Sequence, residues 1–262
     1  MTNTGNVFTA LGRTQKPGAV FRRQDIFYHR GCHALAAGIR YNSAMNTDTP
    51  TLHDLEMERW QQRYAAPHYV YGTEPNLFLR SFAHWIPAGG RVLAVADGEG
   101  RNSVWLARCG YRVDAFDGSS NAVEKARQLA AQHQVQVRYA VENILTRRWE
   151  NAAYDGVAAI MIQFLKPDQR DRVFKFIRHT LKPGGVLLLT GYRPEQIALG
   201  TGGPSQPEQM YTPEILRQSF ADMELLHLHS CQAYLDEGAC HRGLSALIDL
   251  VARRREVAAA GT

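Results

Sequence analysis

The chain has 262 residues, 45% hydrophobic and 21% charged. That is enough apolar material for one large α/β domain, and it excludes collagen-like, coiled-coil and wholly disordered chains. The net charge of +5 sits in the first 44 residues, where Arg13, Lys16, Arg22, Arg23, Arg30 and Arg40 face one acid, Asp25; the neutral remainder gives no general electrostatic footprint for nucleic acid, and no apolar run reaches the roughly 18 residues that span a bilayer.

Residues 1–50 carry neither helical nor strand periodicity and no apolar core of a secretory signal. They are expected to be a flexible basic extension, or sequence upstream of a true start at Met45, although their Arg-rich, acid-poor composition resembles an organelle transit peptide. Residues 54–64 predict a short helix with Leu55 and Trp60 as candidate buried positions, and Asn76–Trp85 a second. Strand-like runs follow at Arg91–Ala96, Arg112–Phe116, Val135–Tyr139, Gly156–Ile162 and Gly184–Thr190. Between them, Ala122, Val123, Ala126, Leu129 and Ala130 line one helix face, and Val173, Phe174, Ile177 and Leu181 another. Asn121 with Glu124 reads as a helix start. Alternating strands and helices predict a parallel sheet covered on both faces. After a Gly/Pro-rich loop over 191–210 and a helix near 212–220, the runs Glu224–Cys231 and Gly243–Val251 follow each other directly and predict an antiparallel pair.

Three features carry chemistry. In Val95-Ala96-Asp97-Gly98-Glu99-Gly100-Arg101-Asn102 a strand runs into Gly-x-Gly and then a helix, a bend that lets a ligand approach bare amides, or simply a turn. Asp117 ends the next strand 19 positions after Gly98, the spacing at which an acid takes ribose hydroxyls; Asp117-Gly118-Ser119 equally suits a helix cap. Leu181-Lys182-Pro183-Gly184-Gly185 stops a helix and turns into a strand.

Four segments together resemble the class I S-adenosylmethionine-dependent methyltransferases over 54–254, and within them the small bacterial group related to tellurite-resistance methyltransferases. They are Tyr69-Val70-Tyr71-Gly72-Thr73-Glu74-Pro75-Asn76, Gly98-Glu99-Gly100-Arg101-Asn102, Thr201-Gly202-Gly203-Pro204 and Glu237-Gly238-Ala239-Cys240-His241-Arg242-Gly243. The resemblance implies one Rossmann-like doubly wound domain over 51–254, with a seven-stranded, mostly parallel sheet, an antiparallel last strand and a tail at 255–262. It departs from the family where an acid and a glycine are usual, at Ala94 and Ala96, so that Asp97 is left to supply the carboxylate. A His that relatives can carry just after the fourth strand is replaced by Gln163-Phe164.

The resemblance implies S-adenosyl-L-methionine as cofactor. Gly98 and Gly100, with Asn102 behind them in the same motif, would line its methionine end, Asp117 its ribose with Gly118 and Ser119 alongside, and Glu142-Asn143 its adenine; Asp97 and Gln163 would face the amino-acid moiety or reaction centre. Tyr71 and Trp105 are candidates for cation–π contact with a sulfonium, Trp105 being equally a core position. Tyr71, Arg193 and His241 are the acceptor-side candidates, His241 as base or as structural residue. The expected acceptor is a small molecule, such as a thiol or a selenium or tellurium oxyanion-derived nucleophile. No metal site is expected, since there is neither CxxC nor HExxH, and no nucleic-acid or membrane partner; scattered thiols fit the cytoplasm. Two alternatives stay open: an NAD(P)-dependent oxidoreductase, although Ser103 stands where a third glycine belongs, and a non-catalytic S-adenosylmethionine-binding protein.

Overall fold

The computed structural model describes residues 52–238 and 241–256, with side chains from residue 56 onward. The expectations for residues 1–50, Met45, the Leu55 side chain, Ala239, Cys240 and the end of the tail fall outside them. The described residues lie within one unit, Thr49–Thr262.

Seven strands form one sheet: β1 (Arg91–Val95), β2 (Arg112–Asp117), β3 (Val137–Val141), β4 (Tyr154–Ile160), β5 (Leu181–Tyr192), β6 (Met223–Glu237) and β7 (His241–Arg254). Their order is β3-β2-β1-β4-β5-β7-β6. β1 to β5 are parallel, whereas β7 runs antiparallel to both β5 and β6. The seven-stranded Rossmann-like expectation therefore holds. The helices are α1 (Leu52–Tyr64), α2 (Leu77–Phe82), α3 (Arg101–Arg108), α4 (Ser120–Gln132), α5 (Pro167–Thr180), α6 (Gln196–Leu199) and α7 (Pro213–Ser219). None among the described residues is long and apolar enough to cross a membrane.

Strand alternation builds two cores. Val92 and Ala94 of β1 pack on one face with Phe78, Leu79 and Leu106, while Leu93 and Val95 pack on the other with Val173, Phe174 and Ile177 of α5. Two connections turn out differently from the sequence reading. Ser119, and not Asn121, caps α4 by accepting from Ala122 N, because the free first-turn amides lie nearest the residue just before the helix. The loop over 191–210 holds the short α6, and both closing strands are longer than expected because they pair with each other from Met223↔Arg254 to Glu237↔His241.

The chain moves from β1 outward to β2 and β3, then returns beside β1 with β4 and goes the other way. Such a reversal leaves a crevice outside the carboxyl ends of the two central strands, where the connections part to opposite faces. Asp155 fixes the opposite end of β4, accepting from Arg91 N at 2.8 Å and from Lys182 Nζ at 2.8 Å. The turn into α3 is set by Gly100, at φ +91°, whose missing Cβ would lie 2.8 Å from Ala126 Cα and Cβ of α4. Gly100→Ala combines left-handed backbone strain with a clash against a packed helix, and is expected to cost about 2–4 kcal/mol. A urea midpoint lowered by that amount checks it; an unchanged midpoint refutes the packing.

Candidate active site

The crevice is a cleft of about 1020 Å³, open mouth included. Val95, Ala96, Phe116, Asp117, Ala158, Ile160 and Met161 at the ends of β1, β2 and β4 form its floor. Met57, Trp60 and Tyr64 of α1 form the opposite wall, and Tyr71, Gly72, Phe164 and His241 close one side. Four of these residues are aromatic side chains in contact: Trp60 stacks on Tyr64 (5.7 Å between centroids) and meets Phe164 edge-on (6.2 Å), and Tyr64 meets Tyr71 (6.3 Å). An apolar, π-rich wall with the Asp97 and Asp117 carboxylates in the same lining suits a ligand that carries a soft cation.

The polar floor begins at Ala96, which adopts φ +48°. That backbone explains why relatives place glycine there; alanine is one of the smaller residues that tolerates it at some strain. The twist brings Asp97 into the cleft lining. Its Oδ1 accepts from Ser103 N at 3.3 Å, while its buried Oδ2 has no hydrogen-bond partner among the described residues. Burial, with the Asp117 carboxylate nearby, pushes the Asp97 pKa up to about 7. Ala94 itself is buried in the core beside α2 and α3.

Asp117 joins the two strand tips: its Oδ2 accepts from Gly98 N at 2.9 Å and its Oδ1 from Ser119 N at 2.9 Å. Burial raises its pKa against the lowering effect of these amides. Each carboxylate oxygen can accept a second hydrogen bond, so the structural clamp leaves capacity for a ligand hydroxyl. Glycine is required at both neighbours for space. A Cβ on Gly98 (φ +62°) would lie 3.0 Å from Tyr64 Oη, and one on Gly118 would collide with Met57.

Of the other expected cofactor residues, Glu142 lines the cleft, with Oε2 3.5 Å from Arg147 Nε, and Asn102 lines it while accepting from Asn76 N at 3.0 Å. Gly100, Ser119, Asn143 and Gln163 are not lining residues. Gly100 abuts α4, Ser119 caps it, and Asn143 Oδ1 accepts from Leu145 N at 2.8 Å. Gln163 does not face the reaction centre: its amide donates to Tyr192 O at 2.7 Å and accepts from Tyr192 N, so both polar ends are bound to the β5 backbone. The adjacent Phe164 takes the place in the lining. Trp105 packs on the core beside α2, outside the lining.

Of the residues expected on the acceptor side, Tyr71 and His241 come together, ring centroids 4.5 Å apart, with Arg63 Nη1 donating to Tyr71 Oη at 3.0 Å. Arg193 is not brought to them. It pairs with Glu195 at 2.8 Å in the loop after β5, because the strand's alternation and the short spacing favour that local partner. Sequence reasoning missed the α1 residues Met57, Trp60 and Tyr64, and also Glu99. Glu99 Oε2 accepts from Val70 N at 2.7 Å and its Oε1 pairs with Lys125, which donates to Ala66 O and His68 O. This pair holds the 65–72 loop against the glycine turn.

Residues 92–185 match the family model described as a methyltransferase domain. Solved structures share the fold. One, from work on the conversion of a disulfide bond into a thioacetal group during echinomycin biosynthesis, is 16% identical with a TM-score of 0.65, covering 76% of this chain and 91% of that one. TehB from Haemophilus influenzae is 18% identical, TM-score 0.57, covering 76% and 67%. The N-methyltransferase NodS from Bradyrhizobium japonicum, in complex with S-adenosyl-L-homocysteine, is 15% identical, TM-score 0.58, covering 76% and 98%. Among curated proteins none matches the sequence.

The match over 92–185 and the seven-stranded fold around it support the reading as a class I, S-adenosylmethionine-dependent methyltransferase over the nicotinamide alternative. The residues fit the cofactor: an unpartnered buried carboxylate oxygen awaits a cation, and a second carboxylate with spare acceptor capacity sits beside a glycine cradle.

Asp97 yields a two-sided prediction. Its raised pKa means that the folded state holds a proton that the unfolded chain releases near pH 4, so stability falls as pH rises from about 4 to 7. Above pH 7 Asp97→Asn should therefore raise the melting temperature of the ligand-free protein, yet weaken S-adenosylmethionine binding by about 1.5–3 kcal/mol. Wild-type affinity should in turn weaken as pH falls through 7. Calorimetric titration at pH 6 and 8 with parallel thermal melts checks both signs.

Proposed function

We propose that this enzyme transfers a methyl group to a small-molecule acceptor in the cleft between β1, β4 and α1, with a soft nucleophile, such as a thiol or a reduced selenium or tellurium species, as the favoured class. The observation that carries the reading is the buried, unpartnered Asp97 Oδ2 facing an aromatic wall across the Gly98 turn. In this reading Asp97 holds the ammonium of the cofactor and Asp117 a ribose hydroxyl, with Glu142 and Gly118 beside the base. The bound cofactor supplies an electrophilic methyl on a sulfonium sulfur.

The remaining work belongs to the chain. Trp60, Tyr64 and Tyr71 exclude water and present π faces toward positive charge. Tyr71 and His241 mark the acceptor end, and acceleration comes chiefly from alignment within the cleft. The cleft is walled by aromatic side chains, which favours a small acceptor over a polymer. The free thiols Cys109 and Cys231 support a reducing, cytoplasmic setting. Kinship with the tellurite-resistance group finds support in the TehB fold match and the four motif segments.

Asp117→Ala should weaken S-adenosylmethionine binding by about 1–3 kcal/mol, the loss of charge-assisted hydrogen bonds; unchanged calorimetric affinity refutes the assignment. Headspace detection of methylated products after incubation with labelled cofactor and tellurite, selenite or small thiols tests the acceptor class. Bound cofactor with no labelled product across that panel favours the non-catalytic alternative.

A further inference from the structure

Glu237, the last residue of β6, is absent from the cleft lining yet touches two lining residues, Arg101 and His241, and Asn76, which donates to a third, Asn102. Its Oε1 accepts from Asn76 Nδ2 at 2.8 Å, and its Oε2 accepts from Arg101 Nη2 at 2.8 Å and lies 3.5 Å from His241 Nδ1. Glu237 and His241 are directly paired in the β6–β7 register, so both side chains leave the same face of the hairpin. His241 in turn lines the cleft.

We infer that Glu237 is a positioning residue for methyl transfer, holding a proton on His241 Nδ1 so that the Nε2 lone pair is free to accept one from a protonated methyl acceptor. The inference rests on the reading of the cleft given above. Its first support is the set of groups around the ring. Arg101 of α3 and Arg63 of α1 are donors only, and Tyr71 and Tyr192 flank the ring at 4.5 and 5.6 Å between centroids. Glu237 is the carboxylate that faces Nδ1, which is buried and makes no hydrogen bond to any described residue as it stands, so a proton on Nδ1 has Glu237 Oε2 at 3.5 Å as its acceptor and not a guanidinium. The two imidazole nitrogens diverge across Cε1, so an Nδ1–H directed to Glu237 turns Nε2 away from the carboxylate.

The second support is charge. Burial would raise the Glu237 pKa, but His241 and Arg101 hold it down to about 2, so the carboxylate is ionised throughout the working range. Burial, assisted by Arg101 and Arg63 against the opposing pull of Glu237, lowers the His241 pKa and keeps the resting imidazole neutral. A neutral ring beside a permanent anion is a base whose conjugate acid is stabilised only when it forms. At 3.5 Å, with Nδ1 making no hydrogen bond to a described residue, the pair is one that tightens into a hydrogen bond only when the site is filled.

The step balances for an acceptor X–H. The X–H proton passes to Nε2 and X bonds to the methyl carbon, while the sulfur–methyl bond breaks with its electron pair on sulfur. The positive charge then rests on the imidazolium beside Glu237 until water takes the proton. The acceptor class is accordingly a neutral, protonated nucleophile such as a thiol, and not one that arrives ionised.

The test reads the ring itself. In protein labelled with 15N-histidine, with His241 assigned by the His241→Asn variant, the wild-type ring should be protonated at Nδ1 and bare at Nε2. In Glu237→Gln the tautomers should mix and the His241 titration midpoint should fall by about one pH unit or more. Wild-type His241 protonated at Nε2 overturns the inference, as does an unchanged tautomer in a Glu237→Gln variant that retains wild-type circular dichroism. If that variant does not fold, the wild-type tautomer decides alone. Calorimetry of the same wild-type sample with S-adenosylmethionine separates the two levels. No binding overturns the reading of the cleft and this inference with it, whereas binding with the wrong tautomer overturns this inference only.

Discussion

The buried ion pair between Arg101 and Glu237 is the interaction on which the site depends. It joins the first turn of α3 to the end of β6, 136 residues away, and Asn76 adds the loop before α2 to the same carboxylate. A buried charge is costly unless paired and hydrogen-bonded, and removing one partner leaves the other stranded. Here Glu237 meets two donors and a histidine, and Arg101 also reaches Glu74 O at 3.4 Å. The glycine turn, the 65–76 loop and the hairpin tip are therefore fixed to one another before any ligand arrives. Gly238, at φ +71° and packed against Tyr71 so that a Cβ would lie 2.8 Å from its Cα, keeps the hairpin close enough for that pairing.

A second carboxylate performs the matching task at the strand tips. Asp117 ties the tips of β1 and β2 through Gly98 N and Ser119 N. Glu237 and Asp97 work under opposite constraints. Glu237 is held ionised by Arg101 and His241, whereas Asp97 is buried with a raised pKa and an Oδ2 that has no hydrogen-bond partner among the described residues. The first kind of group builds a scaffold, and the second waits for a charged ligand.

Much of this was legible in the sequence because it is local or periodic. The strand–glycine–helix run at 92–107, the acid at 117 and the Lys182-Pro183-Gly184-Gly185 stop all act within a few residues of themselves. The antiparallel closing pair follows from two adjacent strands with only a loop between them. What escaped has long-range or ligand-directed causes. α1 buries Trp60 and Tyr64 against a cleft and not against the sheet, so its sequence shows little amphipathic contrast. Glu237 stood in a recognised segment, but its partners lie 136 and 161 residues away, and nothing periodic links them. Gln163 was placed by its nearness to the end of β4; the neighbouring Tyr192 backbone captured its amide, which a linear reading cannot foresee.

The seating of α1 rests largely on one side chain. Gln61 alone accepts from Ser119 Oγ and Asn121 N, donates to Ser120 Oγ, and offers its backbone carbonyl to Asn121 Nδ2. Met57 meanwhile rests on Gly118. The same contacts that seat the helix therefore place Trp60 and Tyr64 along the cleft, so the aromatic wall is only as firm as the join between α1 and the start of α4.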